Sequence, residues 1–145
     1  MKLLNFTIII IFLYGEDSYR SRLKLNEIIE HYKRIHKNGL GLNYFNVNDL
    51  KSEAENQIFS DFENRVNQVS MFEEKKLHVF LNIFSAKIFK EKFLEEISEY
   101  EKSKDVFLVY QDEKVDERDG LFKFFKKNAK CQEFKLLEDL PLKNW

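Results

Sequence analysis

The turn Tyr14-Gly15-Glu16-Asp17-Ser18-Tyr19-Arg20 is the first stretch whose residue types invite chemistry. It joins the apolar run Ile8 to Tyr14 to a helical pattern. Strand, glycine turn and helix start is the arrangement in which backbone amides hold phosphate. A working cradle needs a glycine-rich loop, and a Lys-Ser/Thr pair for the terminal phosphates and magnesium. Here one glycine, Gly15, is followed by two acids, Glu16 and Asp17. Those acids sit where phosphate would go and repel it. The turn therefore reads as a degenerate nucleotide site with no cofactor, and Asp17 as a helix cap and dipole partner.

Other chemistry-bearing residues fare no better. The third apolar run, Leu77 to Phe84, carries Asn82 near its end rather than an Asp-Glu pair, so no magnesium-holding acid follows it. His31, His36 and His78 have no metal-ligand spacing, and they are expected at the surface or its boundary. Asp112, Glu113, Asp116, Glu117 and Asp119 form an acidic loop before a helix, where acids favour the helix dipole. Lys123, Lys126, Lys127 and Lys130 recur at helical spacing. They read first as a solvated face and second as a nucleic-acid footprint. Cys131 is the only cysteine, so no internal disulfide forms. A reducing, cytoplasmic setting follows, with Cys131 as a core thiol.

Ser70-Met71-Phe72 remains. Met71 and Phe72 are adjacent, so they cannot both continue one helical stripe. They stand between the polar Asn67-Gln68 and the charged Glu73-Glu74-Lys75-Lys76. They are either a plug beneath a helix–strand connection or an exposed Met-aromatic anchor for a partner's pocket.

The elements that position these residues alternate. Strands are expected at Ile8–Tyr14, Leu42–Val47, Leu77–Phe84, Val106–Tyr110 and Cys131–Leu136. Helices are expected through Tyr19, Leu23, Ile28, Ile29, Tyr32 and Ile35; through Ile58, Phe59, Phe62, Val66 and Val69; through Ile88 to Tyr100; and through Leu121 to Ala129. Four β-α units and a closing strand imply a five-stranded, mostly parallel sheet with helices on both faces. The 145 residues suffice for one domain, and the 15 phenylalanines predict a Phe-rich core. A net charge of −1 predicts no bulk attraction to nucleic acid or to an anionic membrane. The Leu3–Tyr14 apolar stretch is too short to span a bilayer, and no small-residue cleavage site follows it.

Several stretches, taken in order, resemble the N-terminal domain of the delta subunit of bacterial DNA polymerase III, a clamp-loader subunit. They are Ile11 to Arg22, Ser70 to Leu77, Phe107 to Tyr110, Lys114 to Arg118, Leu121 to Phe124 and Phe134 to Glu138. The resemblance implies an AAA+ type α/β fold, P-loop-NTPase-like, that has lost its nucleotide site and does no chemistry itself. It implies a part in DNA replication in which the segment after the second helix binds the beta sliding clamp. Ser70, Met71 and Phe72 match the family's clamp-contacting positions, with Met where an aliphatic is usual. It further implies contact with the delta-prime and gamma/tau subunits through a C-terminal region absent here, DNA through the assembled complex, and no membrane. Residues 1–137 would form the domain and 138–145 the start of a linker to a second domain, with the late Trp145 suggesting a domain cut from a longer protein. Met1 to Phe6 run ahead of the family's usual start. The alternatives from the residues are a divergent P-loop nucleotide-binding protein and a nucleic-acid-binding α/β module.

Overall fold

The computed structural model describes residues 8–37, 39–47, 51–68, 75–100 and 102–137. The chain runs β1 (Ile9–Tyr14), α1 (Ser18–Ile35), β2 (Leu42–Asn46), α2 (Ser52–Asn67) and β3 (Leu77–Leu81). It continues through a 3-10 turn (Ile83–Ser85), α3 (Lys87–Glu96), a second 3-10 turn (Ile97–Tyr100), β4 (Val106–Gln111), α4 (Gly120–Asn128) and β5 (Lys130–Glu133). The five strands form one sheet in the order β2-β3-β4-β1-β5. Every neighbouring pair is parallel.

A parallel strand covered on both faces is apolar at every position, and β1 shows why. Its even-numbered residues Ile10, Phe12 and Tyr14 join the Phe-rich core under α2, α3 and α4, while Leu13 turns to the opposite core under α1. The same alternation sends Phe80 and Phe107 to the first face and Val79 and Leu108 to the second. Phe62 lies at the centre of the first core, with ring centroids of Phe45, Phe80 and Phe107 5.2 to 5.7 Å away. The second face is lined by Leu25, Ile29 and Tyr32 of α1.

Four expectations shift. The buried stripe of α1 is Ser21, Leu25, Ile29 and Tyr32, whereas Tyr19, Leu23 and Ile35 are exposed. Ser21 takes a core position because its hydroxyl meets the Tyr110 hydroxyl at 2.9 Å. β3 stops at Leu81, because Asn82 adopts a left-handed backbone (φ 66°) that no strand accommodates. β5 ends at Glu133, so Phe134 lies outside it, although its side chain is buried. His78 is not a surface residue: its side chain is fully buried.

Candidate functional site

Two junctions carry the residues of interest. The first is the turn after β1. Gly15 has φ +133°, a conformation that L side chains rarely adopt, and a Cβ there would lie 2.4 Å from the Phe134 carbonyl oxygen. Phe134 itself straddles the turn. Its N–H donates to the Tyr14 carbonyl (2.8 Å) and its carbonyl accepts from the Asp17 N–H (3.0 Å). The Gly15 N–H donates to the Glu113 carbonyl at 3.1 Å, and the Ser18 N–H to the Glu16 carbonyl at 3.0 Å.

Asp17 is the N-cap of α1, as its residue type suggests. Its carboxylate accepts from the Arg20 N–H (3.1 Å) and from Arg20 Nε (2.9 Å). The Arg20 amide, with its guanidinium, holds the Asp17 carboxyl below the usual carboxylate range. Arg20 also donates to the Lys135 carbonyl (2.8 Å) and sits over the Phe134 ring. The amides of Gly15, Asp17, Ser18 and Arg20 are thus engaged inside the protein, and the Arg20 cation already faces an anion. Burial, with Glu133 adding to it, pushes the Tyr14 phenol upward at the strand end.

Three of the five loop acids are also engaged. Asp112 pairs with Arg22 (3.6 Å), and Asp116 with Arg118 (3.1 Å). Asp119 pairs with Lys90 at 2.6 Å and caps α4 through the Leu121 N–H (2.8 Å). Among the described residues no group of three or more His, Cys, Asp or Glu could hold a metal ion. Cys131 is half-buried, with Sγ 3.3 Å from the Phe125 carbonyl, and burial raises its thiol.

The second junction joins α2 to β3. Ser70, Met71 and Phe72 belong to it and lie outside the described residues. The two sides that flank residues 69–74 are described, and Lys76 ties them together. Its Nζ donates to the carbonyls of Arg65 (2.8 Å), Val66 (3.0 Å) and Gln68 (2.6 Å). Those are carbonyls at a helix end, which have no partner within the helix. Tyr32 of α1 reaches across to donate to the Lys75 carbonyl (2.6 Å). The Leu77 N–H donates to the Gly41 carbonyl (2.8 Å), and the Val106 N–H to the Lys76 carbonyl (2.9 Å).

Beneath this stem runs a polar chain that the sequence reading missed. Asp105 accepts from the Lys76 N–H (3.1 Å) and lies 3.8 Å from Lys76 Nζ. His78 Nε2 is 2.9 Å from the same carboxylate. His78 Nδ1 is 3.4 Å from the Asn43 amide nitrogen, and Asn43 Oδ1 accepts from Arg65 (2.8 Å). Arg65 is held in turn by Asp61 at 3.2 Å. The donors run in one direction: Arg65 to Asn43, Asn43 to His78, and His78 to Asp105. That order fits a ring carrying its proton on Nε2. The imidazole is walled by Phe45, Phe62 and Phe107. A histidine within an apolar two-faced strand must find a partner, and the β3–β4 register that sets Leu77 against Val106 brings Asp105 to the stem.

Lys123, Lys126, Lys127 and Lys130 are all exposed on α4 and the edge strand β5. No described helix is long and apolar enough to cross a membrane.

No family model and no curated protein matches this sequence. The fold is similar to that of the Bacillus subtilis DNA clamp loader delta protein (YqeN), with a TM-score of 0.57 and 17% identity. That likeness covers 87% of this chain and 38% of that protein, so the chain spans well under half of its length. At such identity what is shared is the fold.

Proposed function

We propose that this chain is an AAA+-like domain of a clamp-loader delta subunit, which binds a beta-type sliding clamp and performs no chemistry itself. The observation that carries the reading is the fold likeness over 87% of the chain to a clamp loader delta protein. It is supported by the stretches Ile11 to Arg22 and Ser70 to Leu77, which resemble the same family in order. In this reading Met71 and Phe72 enter an apolar pocket on the clamp, preceded by Ser70, and Glu73 to Lys75 form a polar rim, whereas the ammonium of Lys76 is engaged in the stem itself. Burying the two side chains contributes about 3–5 kcal/mol before the costs of association. The turn Gly15-Glu16-Asp17 is scaffold, because the amides of Gly15 and Asp17 already have partners within the protein. The delta-prime and gamma/tau subunits, the lid and collar domains and the hydrolysis of ATP belong to the rest of the loader.

The described stem gives the mechanism a physical basis. Lys76 fixes both sides of residues 69–74 to one rigid sheet. A partner held there is held against β3 and β4. If the clamp's open form fits this surface better than its closed form, binding shifts the ring toward opening by that difference in affinity.

The test is titration of the domain with the sliding clamp of the same organism, beside Met71→Ala/Phe72→Ala. The expected result is saturable binding that weakens at least a hundredfold in the double variant. Equal affinity of the two proteins removes the anchor assignment. Saturable binding of a fluorescent ATP analogue with magnesium would revive the nucleotide-binding alternative, which the committed amides disfavour.

A further inference from the structure

We infer that His78 is a proton-operated latch on the end of α2: Asn43 ties Arg65 to β2 only while the His78 ring carries a single proton. The ring is fully buried, in the middle of a polar chain that crosses a wall of Phe45, Phe62 and Phe107. Its Nε2 donates to Asp105 (2.9 Å), and its Nδ1 accepts from the Asn43 amide nitrogen (3.4 Å). The Asn43 oxygen is then left for Arg65, which donates to it at 2.8 Å. A carboxamide presents donors on one side and an acceptor on the other. What Asn43 offers the ring therefore fixes what it offers Arg65.

A second proton makes both ring nitrogens donors. Nδ1 then meets the Asn43 NH2 as donor against donor. Asn43 relieves this by turning its amide over and accepting from Nδ1 with its oxygen. That turn sets the Asn43 NH2 against the Arg65 guanidinium, which has donors and no acceptor, and the Arg65 tie is lost. Turning the ring over instead would take Nε2 off Asp105 and strip a buried carboxylate oxygen of its close donor, which costs more than an exposed bond. A doubly protonated His78 and the Arg65–Asn43 bond therefore exclude one another.

Charged and titratable groups reach the ring from several sides. Asp105 stands just before β4 and Lys76 just before β3, with Lys76 Nζ 3.8 Å from that carboxylate. α2 brings Arg65 and, behind it, Asp61 at 3.2 Å. The second 3-10 turn brings Tyr100, whose ring lies against Phe62 and Phe107. Burial, with Glu96, Glu63 and Glu99 adding to it, pushes the Tyr100 phenol up to about 12, so it stays neutral. β2 and β4 otherwise face the ring with Asn43, Phe45 and Phe107. The consequence is mechanical. With one proton on His78 the end of α2 has two fastenings, Arg65 on Asn43 and Lys76 on the carbonyls of Arg65, Val66 and Gln68. With two protons only Lys76 remains.

This inference does not rest on the clamp-loader reading, and Met71 and Phe72 take no part in it. The experiment is an NMR titration of the whole chain from about pH 8 to about pH 5. Ring nitrogen-15 shifts count the protons on His78. Amide exchange, corrected for the pH dependence of intrinsic exchange, gives the protection of Arg65 to Asn67. The expected result is that this protection falls about tenfold at the pH where His78 takes its second proton. In Arg65→Ala, which keeps a good helix former, protection is low from the start and no longer follows the ring. In Asp61→Asn, which removes the carboxylate partner of Arg65 but not the Asn43 tie, the two midpoints still coincide; their separation would place the switch at Asp61 and overturn the inference. It is also overturned if His78 stays singly protonated across the range, if the ring titrates with no loss at α2, or if Arg65→Ala loses protection with the parent's midpoint.

Discussion

The turn after β1 and the stem before β3 are both junctions between a strand and a helix, yet different parts of the chain hold them. The turn is closed by backbone. Phe134 donates to the Tyr14 carbonyl and accepts from the Asp17 N–H, the Gly15 N–H donates to the Glu113 carbonyl, and the geometry tolerates no Cβ at Gly15. The stem is closed by side chains brought from far apart. Lys76, Asp105, His78, Asn43 and Arg65 come from β2, α2, β3 and the start of β4. A backbone closure fills its own space and leaves few donors for a ligand. In the side-chain closure Lys76 meets the polar requirements of the helix end. The first arrangement fixes the path of the backbone itself, and the second fastens the end of α2 to the start of β3 through side chains.

Three substitutions test that contrast. Gly15→Ala should have the largest effect. A Cβ would meet the Phe134 backbone, which is not the end of a flexible side chain, in a conformation reserved for glycine. A loss of about 4 kcal/mol is expected in urea unfolding. A loss below 1 kcal/mol would show that the turn can open. Asp105→Ala ranks second. It removes the acceptor shared by Lys76 and the buried His78, and breaking such a pair costs about 3 kcal/mol. Amide exchange should quicken at the end of α2 and the start of β3, while the amides of the β1 turn stay protected. Uniform quickening would mean that the two junctions are not independent.

Asp17→Asn gives the smallest effect, a drop of a few degrees in melting temperature at neutral pH. The folded carboxyl lies below its unfolded value, so its contribution is complete above the unfolded pKa and fades as pH falls toward the folded one. The difference between parent and variant should therefore hold from pH 7 to 5 and shrink below about pH 4. A gap that widens on acidification would reverse the assignment.

Much of the architecture is legible in the residues because a buried parallel sheet leaves so strong a pattern. Ile8 to Tyr14 is apolar throughout because both of its faces are covered. Asp17 and Asp119 announce helix starts because each has a short oxygen-bearing side chain just before a helical run. The phase of α1 is not legible. Tyr19, Leu23 and Ile35 are as apolar as Leu25 and Ile29, and only the Ser21–Tyr110 contact across 89 positions explains why a serine takes the core side. The polar chain under the stem is hidden for a similar reason. His78 stands in an apolar run, and Asp105 looks like the polar introduction to a strand. Their pairing depends on the register of β3 against β4, which no local stretch encodes. The stem around Met71 and Phe72 is thus readable only through its neighbours in space.

All five strands of the sheet point the same way, so its two ends differ in kind. The turn at Gly15 and the loop from Asp112 to Asp119 follow strand ends, whereas Lys76 and Asp105 precede strand starts. A strand of five or six residues sets these poles roughly 17–20 Å apart. A partner seated at the Lys76 pole therefore leaves the Gly15 pole uncovered. The sheet thus offers two separate end surfaces, and a substitution at one need not disturb the other.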